Sequence, residues 1–367
     1  MSGDVTFGGR PRAPEFQVKG GAKPLNWREF SIPELTVTAR YFDHWLDVSE
    51  LRAVRENLTS TAHFVIPIDL SFEAKPKVRD EPLEGEIDVR NGDLAILPRL
   101  VPFLGSASGR FEMSAEVAGT GAKPDVHGIA RVSGGAFRVA GRSEVFSDVQ
   151  AGIRLDGSTL RVDTLTAKQG ERGRVTVRGS AALKSFVPES YRFEVRAREM
   201  TFSEPGVYAV QADGDFVITP GGQVHGQPVP LVTGRASVRR AVILFDFAKQ
   251  TEDQQLAASN QPLYWLYRID LDAKSGIHWQ PPDADIEFNA DLTAEQTPSE
   301  LRLFGEMHAL RGTYYFLSNR FTVRQADLTF DNVSGVNPMM DAVATTQWCP
   351  RRPGAPSRRE RQPRSPP

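Results

Sequence analysis

Apolar residues spaced two apart recur in short runs along the chain, and one longer pattern joins two such runs with a break of parity. A small or turn-forming residue at i is followed by apolar residues at i+2 and i+4. Gly or Ala then stands at i+7, with apolar residues at i+9 and i+11. One copy starts at Gly305 (Met307, Ala309, Gly312, Tyr314, Phe316) and the next at Asn319 (Phe321, Val323, Ala326, Leu328, Phe330). Upstream copies start at Gly128 (Ala130, Val132, Gly135, Phe137, Val139) and Gly234 (Ala236, Val238, Ala241, Ile243, Phe245). A weaker copy at Gly85 runs into Pro98 and Pro102, which favour a short helical or irregular link.

Residues two apart share one face of a strand, so each run predicts a half-buried strand. The step from i+4 to i+9 breaks this parity, and a two-residue hairpin loop restores it. With Arg311-Gly312 and Gln325-Ala326 as loops, all apolar positions point one way. A four-residue loop from Leu317 to Arg320 sets Phe316 opposite Phe321. Gly suits such loops because they need positive φ, whereas Ala241 and Ala326 do not fit that reason.

In chain order, residues 1–30 read as a poorly ordered entry and Ser31 to Ala39 as a strand. Between Phe42 and Leu58 a strand is followed by a short helical piece, on the spacing of Val48, Leu51, Val54 and Leu58. Further strands fall at His63 to Phe72, around Phe111 to Val117, and at Arg174 to Gly179. Ile153 and Leu155 face Val162 and Leu160 across a tight turn. The polar, Gln-rich stretch 248–262 reads as a loop inserted into the sheet, and the Arg/Pro-rich tail 348–367 as disordered. The body between, 31–347, is mostly β with few short helices. Its one-sided alternation fits two sheets packed face to face, and equally one long curved sheet with an apolar concave face.

Composition narrows the function rather than the fold. A net charge of −2 gives no electrostatic footprint for nucleic acid. The single cysteine, Cys349, excludes an internal disulfide, and no apolar run approaches the ~18 residues of a membrane-spanning helix. No secretory signal is legible at the amino terminus. The histidines (His44, His63, His127, His225, His278, His308) have no metal-ligand spacing. Asp213/Asp215, Asp270/Asp272 and Asp283/Asp285 alternate onto the wet face of strands. GTGAKP, from Gly119, lacks the third Gly of a dinucleotide loop and reads as a turn; GSASG, from Gly105, lacks the serine of a nucleophile elbow. Nothing argues for catalysis or a cofactor.

Over Gly109 to Val139 and Gly305 to Ala344 the chain resembles the translocation and assembly module TamB family, relatives of the AsmA-like envelope proteins. The carrying features are GRFEMSAEVAGTGAKPDVHGIARVSGGAFRV, the following FSDVQAGIRLDGSTLRVDTLTAKQGERGRVTVRGSAAL, and GEMHALRGTYYFLSNRFTVRQADLTFDNVSGVNP. The resemblance implies an elongated, curved antiparallel β-groove, a β-taco, reaching across the periplasm of a diderm bacterium. It implies a non-enzymatic role in outer-membrane biogenesis: lipid transport along the groove or, with an Omp85-type outer-membrane barrel, assembly and secretion of β-barrel clients captured by β-augmentation. Phospholipid acyl chains would lie on Ala130, Val132, Phe137, Val139, Val238, Ile243, Phe245, Met307, Tyr314, Phe316, Phe321, Val323, Leu328 and Phe330. Family members usually begin with an inner-membrane anchor and continue past Asn337-Pro338 with more strands. This chain is therefore expected to be a carboxy-terminal portion of a longer protein.

Overall fold

The computed structural model describes residues 2–22, 25–27, 30–32, 34–55, 58–71, 77–101, 104–120, 123–184, 187–224, 226–244, 263–317, 319–331 and 338–346. The stretch 248–262, the tail 348–367 and Phe245 lie outside them. The described chain is one long antiparallel sheet of nineteen strands that does not close on itself. At ~4.8 Å between strands, it extends on the order of 85 Å along its length. Among the described residues the other sheet is the two-stranded pair of Leu25–Trp27 with Phe30–Ile32, too small to form a facing layer, so the face-to-face arrangement does not apply. Ser2–Arg10 and Ala13–Ala22 pair edge to edge, so the entry read as poorly ordered contributes two strands.

Within the long sheet, each strand pairs with the next strand of that sheet in antiparallel fashion, with one exception. Gln227–Ile243 and Leu266–Trp279 run parallel, Leu231 beside Leu266 and Ile243 beside Trp279. These two strands, which flank the undescribed stretch 248–262 in the chain, are direct neighbours in the sheet. A short link does follow the weak copy of the pattern. Leu94–Ile96 is a 3₁₀ turn and Leu97–Leu100 a single α turn, entered where the Asp93 carboxylate accepts the Ala95 N–H at 2.9 Å.

The break of parity is a β-bulge and not a hairpin loop. Leu301–Phe316 and Asn319–Asp331 are each one continuous strand, as are Pro124–Val139 and Gln227–Ile243. Register slips between Ala309 and Arg311, between Val323 and Gln325, between Ser133 and Gly135, and between Val238 and Arg240. At each slip two successive residues face solvent: Leu310-Arg311, Arg324-Gln325, Ser133-Gly134 and Arg239-Arg240. An extra residue on one strand returns the apolar set to the inner face, as a hairpin would have done. The turn after Phe316 is also tighter than drawn from the sequence: Phe316 pairs with Asn319, and Tyr314 with Phe321. The helical spacing of Val48 and Leu51 has the same origin. Trp45–Arg55 is a strand, and its bulge turns Ser49 and Glu50 outward together.

Bulges bend a strand and increase its twist. Here they fall level with one another, Ala241 beside Ile277, Ile277 opposite Phe288, and Phe288 opposite Ala309, so the bends align into a crease. The consequence is visible within one strand. Val232 and Ile243 would stand ~36 Å apart in a straight strand. Yet the Tyr264 ring, two residues before Leu266 and so near Leu231, lies against Gly141, whose neighbour Arg142 donates to the hydroxyl of Tyr208, opposite Ile243. The strand folds into two arms around a concavity.

The small residue after each bulge, at i+7, points inward where backbones crowd. A Cβ on Gly312 would stand 2.7 Å from the Asp285 carbonyl oxygen and from the Ile286 Cα, and one on Gly135 would stand 2.8 Å from Leu94. Ala241 and Ala326 fit this reason, being 3% and 4% exposed. Gly305, at i, has φ +111°, and a Cβ there would collide with the Asp291 carbonyl. Gly305→Ala is therefore expected to destabilise the protein by more than ~1 kcal/mol. Gly152→Ala, with open space around its Cβ, is expected to be neutral or stabilising by up to ~1 kcal/mol. Urea unfolding of the two variants checks the pair.

Candidate functional site: the concave face

Inward positions of successive strands merge into continuous apolar clusters. The larger gathers Ile277, Trp279, Ile286, Phe288, Leu292, Met307, Leu328 and Phe330, with Ala241, Ala273, Ala284, Ala290 and Ala326 between them. A second gathers Phe146, Val149, Ala167, Val175, Ala197 and Met200, where Phe137 stacks on Phe146 at 4.7 Å. A third, smaller one joins Val224, Val229 and Leu266. Phe288 and Leu328 are 1% exposed. Among the described residues none classed as polar or charged is buried, and the indole N–H of Trp279 is the polar side-chain group within the larger cluster.

Met307, Leu328 and Phe330 are buried within the larger cluster, and Val238, Ile243, Tyr314 and Val323 pack against it. Val132, Phe137 and Val139 pack against the second. Ala130 is half-buried between Met113 and Ile153, and Phe321 is half-buried opposite Tyr314. Phe316 shares the face of Tyr314 but sits at the strand end, 54% exposed and outside the cluster. The sequence pattern passed over Trp279, Ile286, Phe288 and Leu292, all buried members of the larger cluster. Ile286, Phe288, Ala290 and Leu292 alternate cleanly, a period-2 signal that lacks the Gly or Ala landmark of the repeat.

The convex face is polar and laced with cross-strand ion pairs. Arg311 reaches Glu287 at 2.6 Å, Arg154 reaches Asp163 at 3.0 Å and Lys168 reaches Asp148 at 2.6 Å. His308 lies 2.8 Å from Asp327 and 3.3 Å from Glu306; the hydrogen bond to Asp327 is the main reason its imidazole is raised above the ordinary histidine range. The carboxylate pairs read from the sequence sit on this face with basic or polar neighbours. Arg239 holds Asp213 at 2.6 Å and Arg198 approaches Asp215 at 3.4 Å. Burial would raise the Asp213 carboxyl, but Arg239 and the Glu199 N–H outweigh it and lower it. Asp270 accepts the Thr293 hydroxyl at 2.9 Å, and Asp285 accepts the Gln280 amide at 3.1 Å. Among the described residues no group of three or more His, Cys, Asp or Glu is placed to hold a metal ion. No helix of the described chain is long and apolar enough to cross a membrane.

A one-sheet trough with an apolar inside and a charged outside offers apolar surface on one side and a water-facing, charged surface on the other. The model of the TamB C-terminal domain matches residues 163–360, more than half of the chain. The chain belongs to the TamB family. That family is one of non-enzymatic cell-envelope proteins of outer-membrane biogenesis. The TamB match takes in the parallel pair, the larger apolar cluster and the terminal strands. Comparison with curated proteins returns no match, and neither does comparison with solved structures.

Proposed function

We propose that the concave face carries phospholipid acyl chains through the periplasm, between the inner and outer membranes. A sixteen-carbon chain costs on the order of 12 kcal/mol to expose to water, at ~0.8 kcal/mol per CH₂. A conduit must therefore be apolar without interruption. The observation that carries the reading is the chemical uniformity of the buried lining, apolar from strand to strand with no buried polar or charged residue among those described. Headgroups would stay in water at the mouth. In this reading body 31–347 forms the conduit, an anchor elsewhere in the full-length protein ties it to the inner membrane, and an Omp85-type barrel receives it at the outer membrane. Mild extraction followed by mass spectrometry tests it. Phospholipid is expected to co-purify in at least stoichiometric amount; a lipid-free particle would contradict the proposal.

A second reading has its own observation. Met339–Thr346 ends the described sheet, is exposed throughout, and pairs on one side only, with Asn319–Asp331. Such an edge can accept a client strand by β-augmentation, as capture of unfolded barrel proteins would require. Client crosslinks at Met340 and Val343, without lipid on the concave face, would favour that role.

A further inference from the structure

The mouth of the groove is bridged at one place. The turn after Pro124–Val139 lies at one rim, together with Tyr208, which pairs with Ile243 at the end of its strand. Leu266 pairs with Leu231 near the start of that same strand, so Tyr264 and Tyr267 belong to the opposite rim. The two rims touch. The Tyr264 ring lies so close to Gly141 that a Cβ there would stand 3.0 Å from it, in a turn where Gly141 has φ +73°. Arg142 donates to the Tyr208 hydroxyl at 3.2 Å and to both Glu144 oxygens at 3.1 and 2.8 Å. The Glu144 carboxylate also accepts the Ser203 N–H at 2.8 Å. Burial first, then Tyr208, raises the Tyr267 phenol, and Arg142 acts on it in the opposite sense.

We infer that this bridge is a gate on headgroup passage, an inference that rests on the lipid-conduit reading above. An acyl chain can slide beneath a bridged mouth. A phosphate headgroup, excluded from the apolar lining by its charge, travels at the mouth and meets the bridge. Passage of a two-chain phospholipid then requires Tyr264 to part from Gly141. The contact across the mouth is a single ring packed against a turn. Transient opening is therefore accessible.

The test uses the full chain with Cys349→Ser, Arg142→Cys and Tyr264→Cys, tagged at its amino terminus and tethered to phosphatidylcholine vesicles doped with a diazirine phospholipid. A short bis-maleimide with a reducible centre locks the bridge, and photolabelled peptides are mapped by mass spectrometry. With the lock closed, labelling around Met113 is expected to persist while labelling around Phe330 falls at least tenfold, returning on reduction. A diazirine fatty acid is expected to reach Phe330 in both states. Tyr264→Ala alone should hasten arrival of the phospholipid at Phe330. Equal phospholipid labelling at Phe330 with the bridge locked overturns the gate and leaves the conduit standing. No labelling of any form on the concave face overturns both.

Discussion

Replacing Phe288 by alanine is expected to cost about 3–5 kcal/mol of stability, the largest effect of any single truncation on the concave face. Phe288 is 1% exposed and sits at the line of aligned bulges, opposite Ile277 on one side and Ala309 on the other. Only one sheet surrounds it, so no facing layer can move in to fill the cavity. Leu310→Ala, a comparable deletion at the outward side of the neighbouring bulge where the side chain is 49% exposed, is expected to change stability by less than ~0.5 kcal/mol. Urea unfolding followed through Trp279, within the same cluster, measures both. In an elongated sheet each strand is stabilised mainly by its neighbours. Amide exchange in Phe288→Ala should therefore accelerate most in Leu266–Trp279, Ala284–Gln296 and Leu301–Phe316, with little change near Pro124–Val139.

The second large effect is on cargo. Val323→Asp places a carboxylate on the half-buried lining, whereas Thr322→Asp places the same group one residue away on the exposed face. Desolvating that charge against an acyl chain costs several kcal/mol, and each 1.4 kcal/mol is about tenfold in affinity. Co-purifying phospholipid is expected to fall at least tenfold in Val323→Asp and to hold its level in Thr322→Asp. Because Val323 is only partly buried, the variant is expected to keep its fold, which amide exchange reports. Equal lipid in both variants would remove Val323 from the lining.

The inward face of the strands that carry the repeat was legible in the sequence, while the way the chain keeps that face was not. Met307, Ala309, Tyr314, Val323 and Leu328 were assigned to one side on alternation alone, and they lie on it. The hairpins drawn to explain the change of parity were wrong, because a bulge and a two-residue loop have the same effect on parity. Turn chemistry separates the two. Two-residue loops demand positive φ, which Gln325-Ala326 does not favour, and alanine at 241 and 326 carried that signal. At Val48 and Leu51 the same bulge imitated helical spacing. Phe288 escaped notice because its strand alternates without a glycine landmark. The parallel pairing of Gln227–Ile243 with Leu266–Trp279, and the meeting of Tyr264 with Gly141, depend on how distant parts of the sheet curl together. No local pattern encodes either.

The most direct test of an apolar conduit is parity itself. Photoreactive side chains placed one at a time at Phe288, Glu287, Phe330 and Thr329 in the chain expressed in the periplasm would be irradiated and the adducts identified. Phospholipid adducts at 288 and 330, with none at 287 and 329, are the predicted result. Equal adducts at neighbouring positions, or protein adducts alone, would contradict lipid passage along the concave face.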